Sequence, residues 1–143
     1  MDRPSKKLRL DKNSSLLQAI WRNNHDEVLF LIENSPDVNP LAKDWMESPL
    51  GIAIHYGNAQ IVETLIMNGA KTNIKLSHDE TPIHLAIQAR ENQEEIINIL
   101  VNHGADIDAK ETIFGSTPLH MAVRRNENEL VKVLLSARST SAF

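Results

Sequence analysis

Six histidines and two His-Asp-Glu tripeptides are the features of this 143-residue chain that could bind a metal or transfer protons. The tripeptides are His25-Asp26-Glu27 and His78-Asp79-Glu80. We expect the first at the start of a helix and the second at a loop tip, so they cannot form a repeated site. The chain has no His-x-x-x-His, His-Glu-x-x-His or Gly-x-Ser-x-Gly pattern, no glycine-rich phosphate loop and no cysteine. The sequence therefore predicts no metal or cofactor site and no enzymatic activity.

The composition is that of a globular protein with an acidic body. Hydrophobic residues make up 41% of the chain, and no apolar run is long enough to span a membrane. Residues 1–13 are too polar for a secretory signal, so we expect an intracellular protein, in the cytoplasm or the nucleus. Without the first twelve residues the chain has 10 basic and 17 acidic residues, a net charge of −7. This charge repels a phosphate backbone and argues against nucleic-acid binding as the main activity.

A six-residue pattern recurs at intervals of 33 to 36 residues. The copies run, from the best to the most degraded, Thr117-Pro118-Leu119-His120-Met121-Ala122, Thr81-Pro82-Ile83-His84-Leu85-Ala86, Ser48-Pro49-Leu50-Gly51-Ile52-Ala53 and Ser14-Ser15-Leu16-Leu17-Gln18-Ala19. In each copy the Ser or Thr can cap a helix, and proline suits the first helical position. An apolar helical stripe follows, and glycine ends it at Gly69 and Gly104. The pattern predicts four units of two helices each.

This pattern resembles the ankyrin repeat, whose signature is Thr-Pro-Leu-His-x-Ala. The resemblance implies an all-α solenoid of four helix-turn-helix units with projecting hairpin loops. We place the repeats at 14–47, 48–80, 81–116 and 117–138, after a flexible basic arm, 1–13, and before a C-terminal tail, 139–143. The third repeat has two extra residues around Arg90 to Gln93. The resemblance also implies that His84 and His120 tie one repeat's loop to the next by hydrogen bonds.

By the same resemblance, partner contacts come from the loop tips and from the positions after each signature. Four of the six aromatic residues fall at these positions, although the repeat core is aliphatic, and aromatics and arginine dominate interface energetics. The alternative is that Trp21 caps the first repeat and Trp45 shields the first loop. The predicted partner-binding residues are Trp21, Arg22, Asp44, Trp45, Glu47, His55, Tyr56, Ser77, His78, Glu80, Gln88, Ile113, Phe114, Arg124 and Arg125.

The two ends of the chain carry separate predictions. Lys6, Lys7 and Arg9 form a short basic run typical of a nuclear localisation signal, and the alternative is a solvated tail. At the other end, Val133 and Phe143 favour weak self-association of an otherwise monomeric protein through a C-terminal apolar edge.

The predicted function is non-enzymatic binding of another protein, as a stoichiometric inhibitor or a small adaptor subunit, without a cofactor and without a membrane. Two narrower resemblances stay open, to the inhibitors of NF-κB/Rel factors and to the cyclin-dependent kinase inhibitors. A nucleic-acid binder that uses the basic arm is a third alternative, which the acidic body disfavours.

Overall fold

In a computed structural model that describes residues 12–34 and 37–141, the chain forms eight α-helices in four consecutive pairs and, within those ranges, no strand. The inner helices are α1 (Lys12–Trp21), α3 (Pro49–His55), α5 (Pro82–Ile87) and α7 (Pro118–Arg124). The outer helices are α2 (His25–Glu33), α4 (Ala59–Met67), α6 (Gln93–Asn102) and α8 (Asn128–Ser141). The predicted all-α solenoid is confirmed.

Each helix packs against its partner in the same repeat and against its equivalent in the next repeat. The buried positions are aliphatic, as the periodicity predicts, and α4 buries Ile61, Val62, Leu65 and Ile66 on one stripe. One continuous core therefore runs through all four repeats. No described helix is both long and apolar enough to cross a bilayer.

Asparagine side chains fix the spacing between neighbouring repeats on the outer side. Asn39 donates to the Gly69 carbonyl at 2.8 Å and accepts from the Lys71 N–H at 2.8 Å. Asn73 repeats both bonds with Gly104 and Asp106. Because each asparagine satisfies backbone groups at the end of the next repeat's outer helix, the repeats stack in a fixed register.

The first and last helices extend past the predicted repeat boundaries. Helix α1 begins at Lys12, so Ser14 lies inside the helix rather than capping it, and the helix overlaps the predicted arm, 1–13. Helix α8 continues to Ser141, because no glycine or proline follows residue 128 to stop it, so the tail predicted at 139–143 begins within a helix. Lys6, Lys7, Arg9 and Phe143 lie outside the described residues.

Candidate functional site

An open apolar cleft lies between α1, α3 and the loop that joins the first two repeats. Its volume is about 330 Å³, and Trp21, Trp45 and Tyr56 supply its aromatic walls. The Trp21 indole N–H donates to the Tyr56 hydroxyl at 3.0 Å, so the two side chains hold each other across the cleft. Leu17, Gln18, Met46 and Ile52 complete the lining. Three of the predicted aromatic residues thus form one surface, which we call the aromatic cleft.

The first loop lies against α3 because Gly51 replaces the histidine of the signature. A Cβ atom at residue 51 would lie 2.8 Å from both the Cα and the carbonyl oxygen of Trp45. Only glycine leaves room for this approach. The Trp45 ring then stacks on the His55 ring with 3.8 Å between centroids, and Tyr56 meets both rings edge-on. Trp45 and Tyr56 are therefore half-buried on the core, and only Trp21, 63% exposed, stands free of it.

Arg90 belongs to this site, although the sequence analysis did not select it. Its guanidinium lies over the Tyr56 ring, 5.6 Å from the centroid, and its backbone N–H donates to the His55 carbonyl at 3.0 Å. The extra residues between α5 and α6 bring it there, and Asn92 anchors them through a 2.7 Å bond to the Gly57 carbonyl. The insertion was visible in the sequence and could have identified Arg90.

The charge of Arg90 acts on His55. Burial, followed by the positive charge of Arg90, lowers the pKa of His55 below its ordinary value of 6.5. His55 is therefore neutral at neutral pH, and the aromatic cleft is built from an uncharged ring stack with one cation beside it.

A second surface lies at the loop between the third and fourth repeats, where Ile113 is 60% and Phe114 72% exposed. We call these two residues the third-loop tip. The buried Glu111 carboxylate accepts from the Phe114 N–H at 2.8 Å and the Ser116 N–H at 3.4 Å. Arg124 lies over the Phe114 ring at 4.9 Å and donates to the Ser116 hydroxyl at 3.0 Å. Polar contacts thus hold an exposed apolar tip in one conformation.

The contacts of Glu111 also set its charge state. Its hydrogen bond from the Phe114 backbone N–H lowers the pKa of the carboxyl group below the ordinary 4.5, and bonds from Ser116 and Ile113 add to that effect against the opposing cost of burial. The group is therefore ionised at neutral pH, which strengthens the bonds that shape the loop.

The signature histidines behave differently from each other. The Thr81 N–H donates to His84 Nδ1 at 3.2 Å, so the proton is on Nε2, which donates to the Ser116 carbonyl at 3.0 Å. His84 therefore ties α5 to the loop that leads into the fourth repeat, as the resemblance implies. The same expectation for His120 is wrong. Its Nδ1 accepts from the Thr117 N–H, but the ring is exposed because no loop follows α8 within the described residues.

Several predicted loop residues shape the loops themselves. Asp44 accepts from the Met46 N–H at 2.9 Å, and Glu47 accepts from the Lys43 N–H at 2.8 Å. Ser77 donates to the Lys43 carbonyl through both its N–H and its hydroxyl, each at 2.7 Å. The His78 carbonyl accepts from the Thr112 N–H at 2.8 Å. These bonds link each loop to the next and hold all three in one row.

The remaining predicted residues contact side chains close to them in the chain. Gln88 donates to Glu80 at 3.2 Å, and Arg22 lies 4.0 Å from Glu27. Arg125 forms a 2.9 Å ion pair with Glu127, whereas Arg124 turns towards Phe114. Arg124 and Arg125 therefore do not form a double positive site. Among the described residues no three His, Asp or Glu side chains are grouped as metal ligands.

Comparison with known proteins agrees with this architecture. A family model described as "Ankyrin repeats (3 copies)" matches residues 16–111 and 50–142. An ankyrin repeat protein of fowlpox virus is 39% identical over 134 residues, which cover 90% of this chain and 38% of the viral protein. The nuclear factor NF-kappa-B p105 subunit of Gallus gallus is 29% identical over 142 residues, covering 85% of this chain and 14% of that protein.

A further relative is the NF-kappa-B inhibitor cactus of Drosophila yakuba, 35% identical over 83 residues, which cover 57% of this chain and 17% of cactus. The chain thus spans less than two fifths of the length of each of these relatives. Ankyrin repeats are protein-interaction modules, and the family is not catalytic. The signature, the stacked helix pairs and the match over nearly the whole chain show that this protein belongs to the ankyrin repeat family.

Proposed function

We propose that this protein is a stoichiometric inhibitor that binds one partner protein through the aromatic cleft and covers part of the partner's surface. The observation that supports this most is the convergence of Trp21, Trp45 and Tyr56 from three separate elements on one open apolar cleft. Large aromatic side chains in a partly enclosed site are the residues that supply most of the binding energy in protein interfaces. A partner with one apolar side chain presented on its surface fits this site.

The third-loop tip supplies the second contact in this proposal. Ile113 and Phe114 are exposed but already fixed by Glu111 and Arg124, so little conformational entropy is lost when they enter a partner's pocket. The partner therefore meets a cleft that receives an apolar side chain and a tip that inserts one. Two such anchors at separate loops favour a folded partner surface over a short peptide.

The experiment compares three exposed aromatics of similar accessibility. Trp21→Ala and Phe114→Ala test the two anchors, and Phe30→Ala is the matched control because Phe30 is 62% exposed on α2, away from both surfaces. After affinity capture from source cells, the recovered partner is purified and titrated calorimetrically. We expect one partner per chain, binding weakened about tenfold or more by each anchor variant, and no effect of the control. Equal affinity of all four proteins would refute the proposal.

A partner of the NF-κB/Rel type is the narrower candidate. It is supported by the similarity to the NF-kappa-B p105 subunit and to the NF-kappa-B inhibitor cactus. Titration of this protein into a purified NF-κB-type factor tests it directly, with Trp21→Ala and Phe30→Ala as before. Absence of binding to that factor, together with capture of an unrelated partner, would reject the candidate and leave the cleft proposal intact. The adaptor and cyclin-dependent kinase interpretations stay untested predictions.

We also propose that the protein acts inside the cell, in the cytoplasm and the nucleus. Lys6, Lys7 and Arg9 would direct it to the nucleus. A fluorescent reporter fused to residues 1–13 tests this, with all three basic residues changed to alanine as the control. Even distribution of both reporters between cytoplasm and nucleus would contradict the proposed nuclear localisation.

A further inference from the structure

The guanidinium of Arg90 differs in its contacts from that of every other arginine in the described part of the chain. The others each bind a carboxylate or hydroxyl oxygen of the chain, namely Arg22, Arg124, Arg125 and Arg138. Within residues 12–34 and 37–141, the Arg90 guanidinium has no ion pair and donates no hydrogen bond, and it lies over the Tyr56 ring. Since Arg90 is exposed, its N–H donors are open to an acceptor from outside the chain.

The backbone around Arg90 is fixed before any partner binds. The Arg90 N–H donates to the His55 carbonyl at 3.0 Å, and the Asn92 side chain donates to the Gly57 carbonyl at 2.7 Å. The Tyr56 ring supports one face of the guanidinium, 5.6 Å from the centroid. An acceptor that binds at the edge of the guanidinium therefore meets a side chain with little freedom left to lose.

The second repeat is adapted to receive the insertion that carries Arg90. The turn between its helices has Gly57 with a φ of 77°, where the first and fourth repeats have Asn23 and Asn126 with φ of 61° and 57°. A Cβ atom at residue 57 would lie 2.5 Å from the Cγ and from the carbonyl oxygen of Glu91. Asparagine can adopt this turn, but only glycine leaves room for the residue that follows Arg90. The position of Arg90 thus depends on matched features of two repeats.

The charge of Arg90 is not compensated by its described neighbours. The carboxylates of the adjacent first loop, Asp44 and Glu47, accept backbone N–H groups of that loop. The next residue, Glu91, packs its side chain against Gly57. The aromatic cleft is apolar, so the rim beside Tyr56 presents a positive charge next to a site for an apolar side chain.

A carboxylate is the group that fits this arrangement. The guanidinium binds the two oxygens of an aspartate or glutamate through parallel N–H···O bonds, and its planar shape keeps that geometry while it stacks on a ring. A polyphosphate backbone fits less well, because the body of the chain has a net charge of −7.

We propose that Arg90 determines which partner binds, by pairing with an acidic residue next to the apolar side chain that fills the aromatic cleft. This inference rests on the proposed function and names the chemistry of the partner's surface. The partner presents an apolar residue with aspartate or glutamate beside it.

Short peptides blocked at both ends are the probes that test this pairing. The acidic peptide has phenylalanine between pairs of glutamates, and its two counterparts have glutamines or lysines in place of the glutamates. Nuclear magnetic resonance follows the Trp21 indole N–H and the Arg90 Nε–H during each titration, up to millimolar peptide. We expect the acidic peptide to shift both signals and to bind about fivefold more tightly than the glutamine peptide, with the lysine peptide weakest.

Two arginine variants separate the charge of Arg90 from its packing. Arg90→Gln should bind the acidic and glutamine peptides equally, and its affinity for the glutamine peptide should match the wild type because the cleft is intact. Arg125→Gln is the matched control, since Arg125 is paired with Glu127 at 2.9 Å, and it should keep the preference for the acidic peptide. If Arg90→Gln weakens both peptides by the same factor, Arg90 only supports the Tyr56 ring and the proposal is overturned.

The outcomes also separate this inference from the proposed function. A wild type that binds the acidic and glutamine peptides equally, or that prefers the lysine peptide, would overturn the role of Arg90 and leave the aromatic cleft as a binding site. Trp21→Ala should weaken the acidic and glutamine peptides by the same factor, because it removes a wall of the cleft and not the charge. If no peptide shifts the Trp21 indole signal, the cleft does not receive an apolar side chain and both proposals fail.

Discussion

The first and third loops meet the inner helices in opposite ways. The first loop lies against α3, because Gly51 lets the Trp45 backbone approach and a Cβ atom there would be 2.8 Å away. The third loop is held by polar side chains, His84 and Glu111, and its tip stays exposed. The difference teaches that a loop packed by close backbone approach leaves a cleft, whereas a loop held by polar side chains leaves a projecting tip.

The largest effect is expected when the histidine of this comparison is removed. His84→Ala leaves the Thr81 N–H and the Ser116 carbonyl without their partner in a buried site and creates a cavity. We expect the free energy of unfolding to fall by about 3 kcal/mol, measured by urea denaturation. His120→Ala is the matched control and should cost under about 1 kcal/mol, because His120 is exposed. Equal losses of unfolding free energy in the two variants would contradict the conclusion that His84 supports the fold and His120 does not.

A methyl group at residue 51 tests the other side of the comparison. Gly51→Ala within a helix normally stabilises a protein by up to about 1 kcal/mol. Here the added Cβ overlaps the Trp45 backbone, so we expect a loss of about 2 kcal/mol and displacement of the first loop. Urea denaturation measures the loss of stability. A red shift of the tryptophan emission maximum reports the displacement of the first loop. A gain in stability would show that the loop does not depend on glycine.

Acid should weaken the third loop through protonation of Glu111. The pKa of Glu111 is lowered in the folded protein, so its contribution to stability is present above the unfolded value of 4.5 and is lost as pH falls through the folded pKa. Glu111→Gln should therefore reduce the acid-dependent fall in the melting temperature, whereas Glu94→Gln, on the exposed surface of α6, should not. The measurement is thermal denaturation between neutral and acidic pH. Parallel curves for all three proteins would contradict the role of Glu111.

The smallest effect concerns the cation beside the aromatic cleft. Nuclear magnetic resonance titration should place the pKa of His55 below 6.5, and Arg90→Gln should raise it only in part, because burial is the larger cause. Since the folded pKa is lowered, His55 adds stability above the unfolded value and that stability is lost as pH falls below it. An unchanged pKa of His55 in the Arg90→Gln variant would contradict the assignment of Arg90 to this site.

Much of the fold could be predicted because the same local interactions recur in successive repeats. The Ser or Thr cap, the proline after it and the terminal glycines recur at fixed intervals, and the structure places α3, α5 and α7 directly after those caps. The start of α1 at Lys12 and the end of α8 at Ser141 were not predicted. No other repeat has an equivalent of these ends for comparison, and α8 contains no glycine or proline that would mark its end. Local sequence fixes a helix end only where a cap or a breaker is present.

The candidate site could be predicted only in part. Trp21, Trp45 and Tyr56 stood out because aromatics are rare in an aliphatic repeat, and the structure brings them together. Asp44 and Glu47 were selected by the same alignment, yet their carboxylates accept backbone N–H groups of their own loop. Arg90 was overlooked because its contact with Tyr56 joins two different repeats. Alignment identifies variable positions but does not say which of them meet.

By itself the sequence determined the repeat, its helices, its aliphatic core and the family, because each of these depends on local spacing that any copy displays. Only the tertiary structure decided which side chains form the aromatic cleft and which histidine binds the loop that follows its repeat's helices. The physical reason is that these features depend on whether a neighbouring repeat is present and how closely its backbone approaches. The close approach of the Trp45 backbone to Gly51, for example, is a contact between repeats rather than within one.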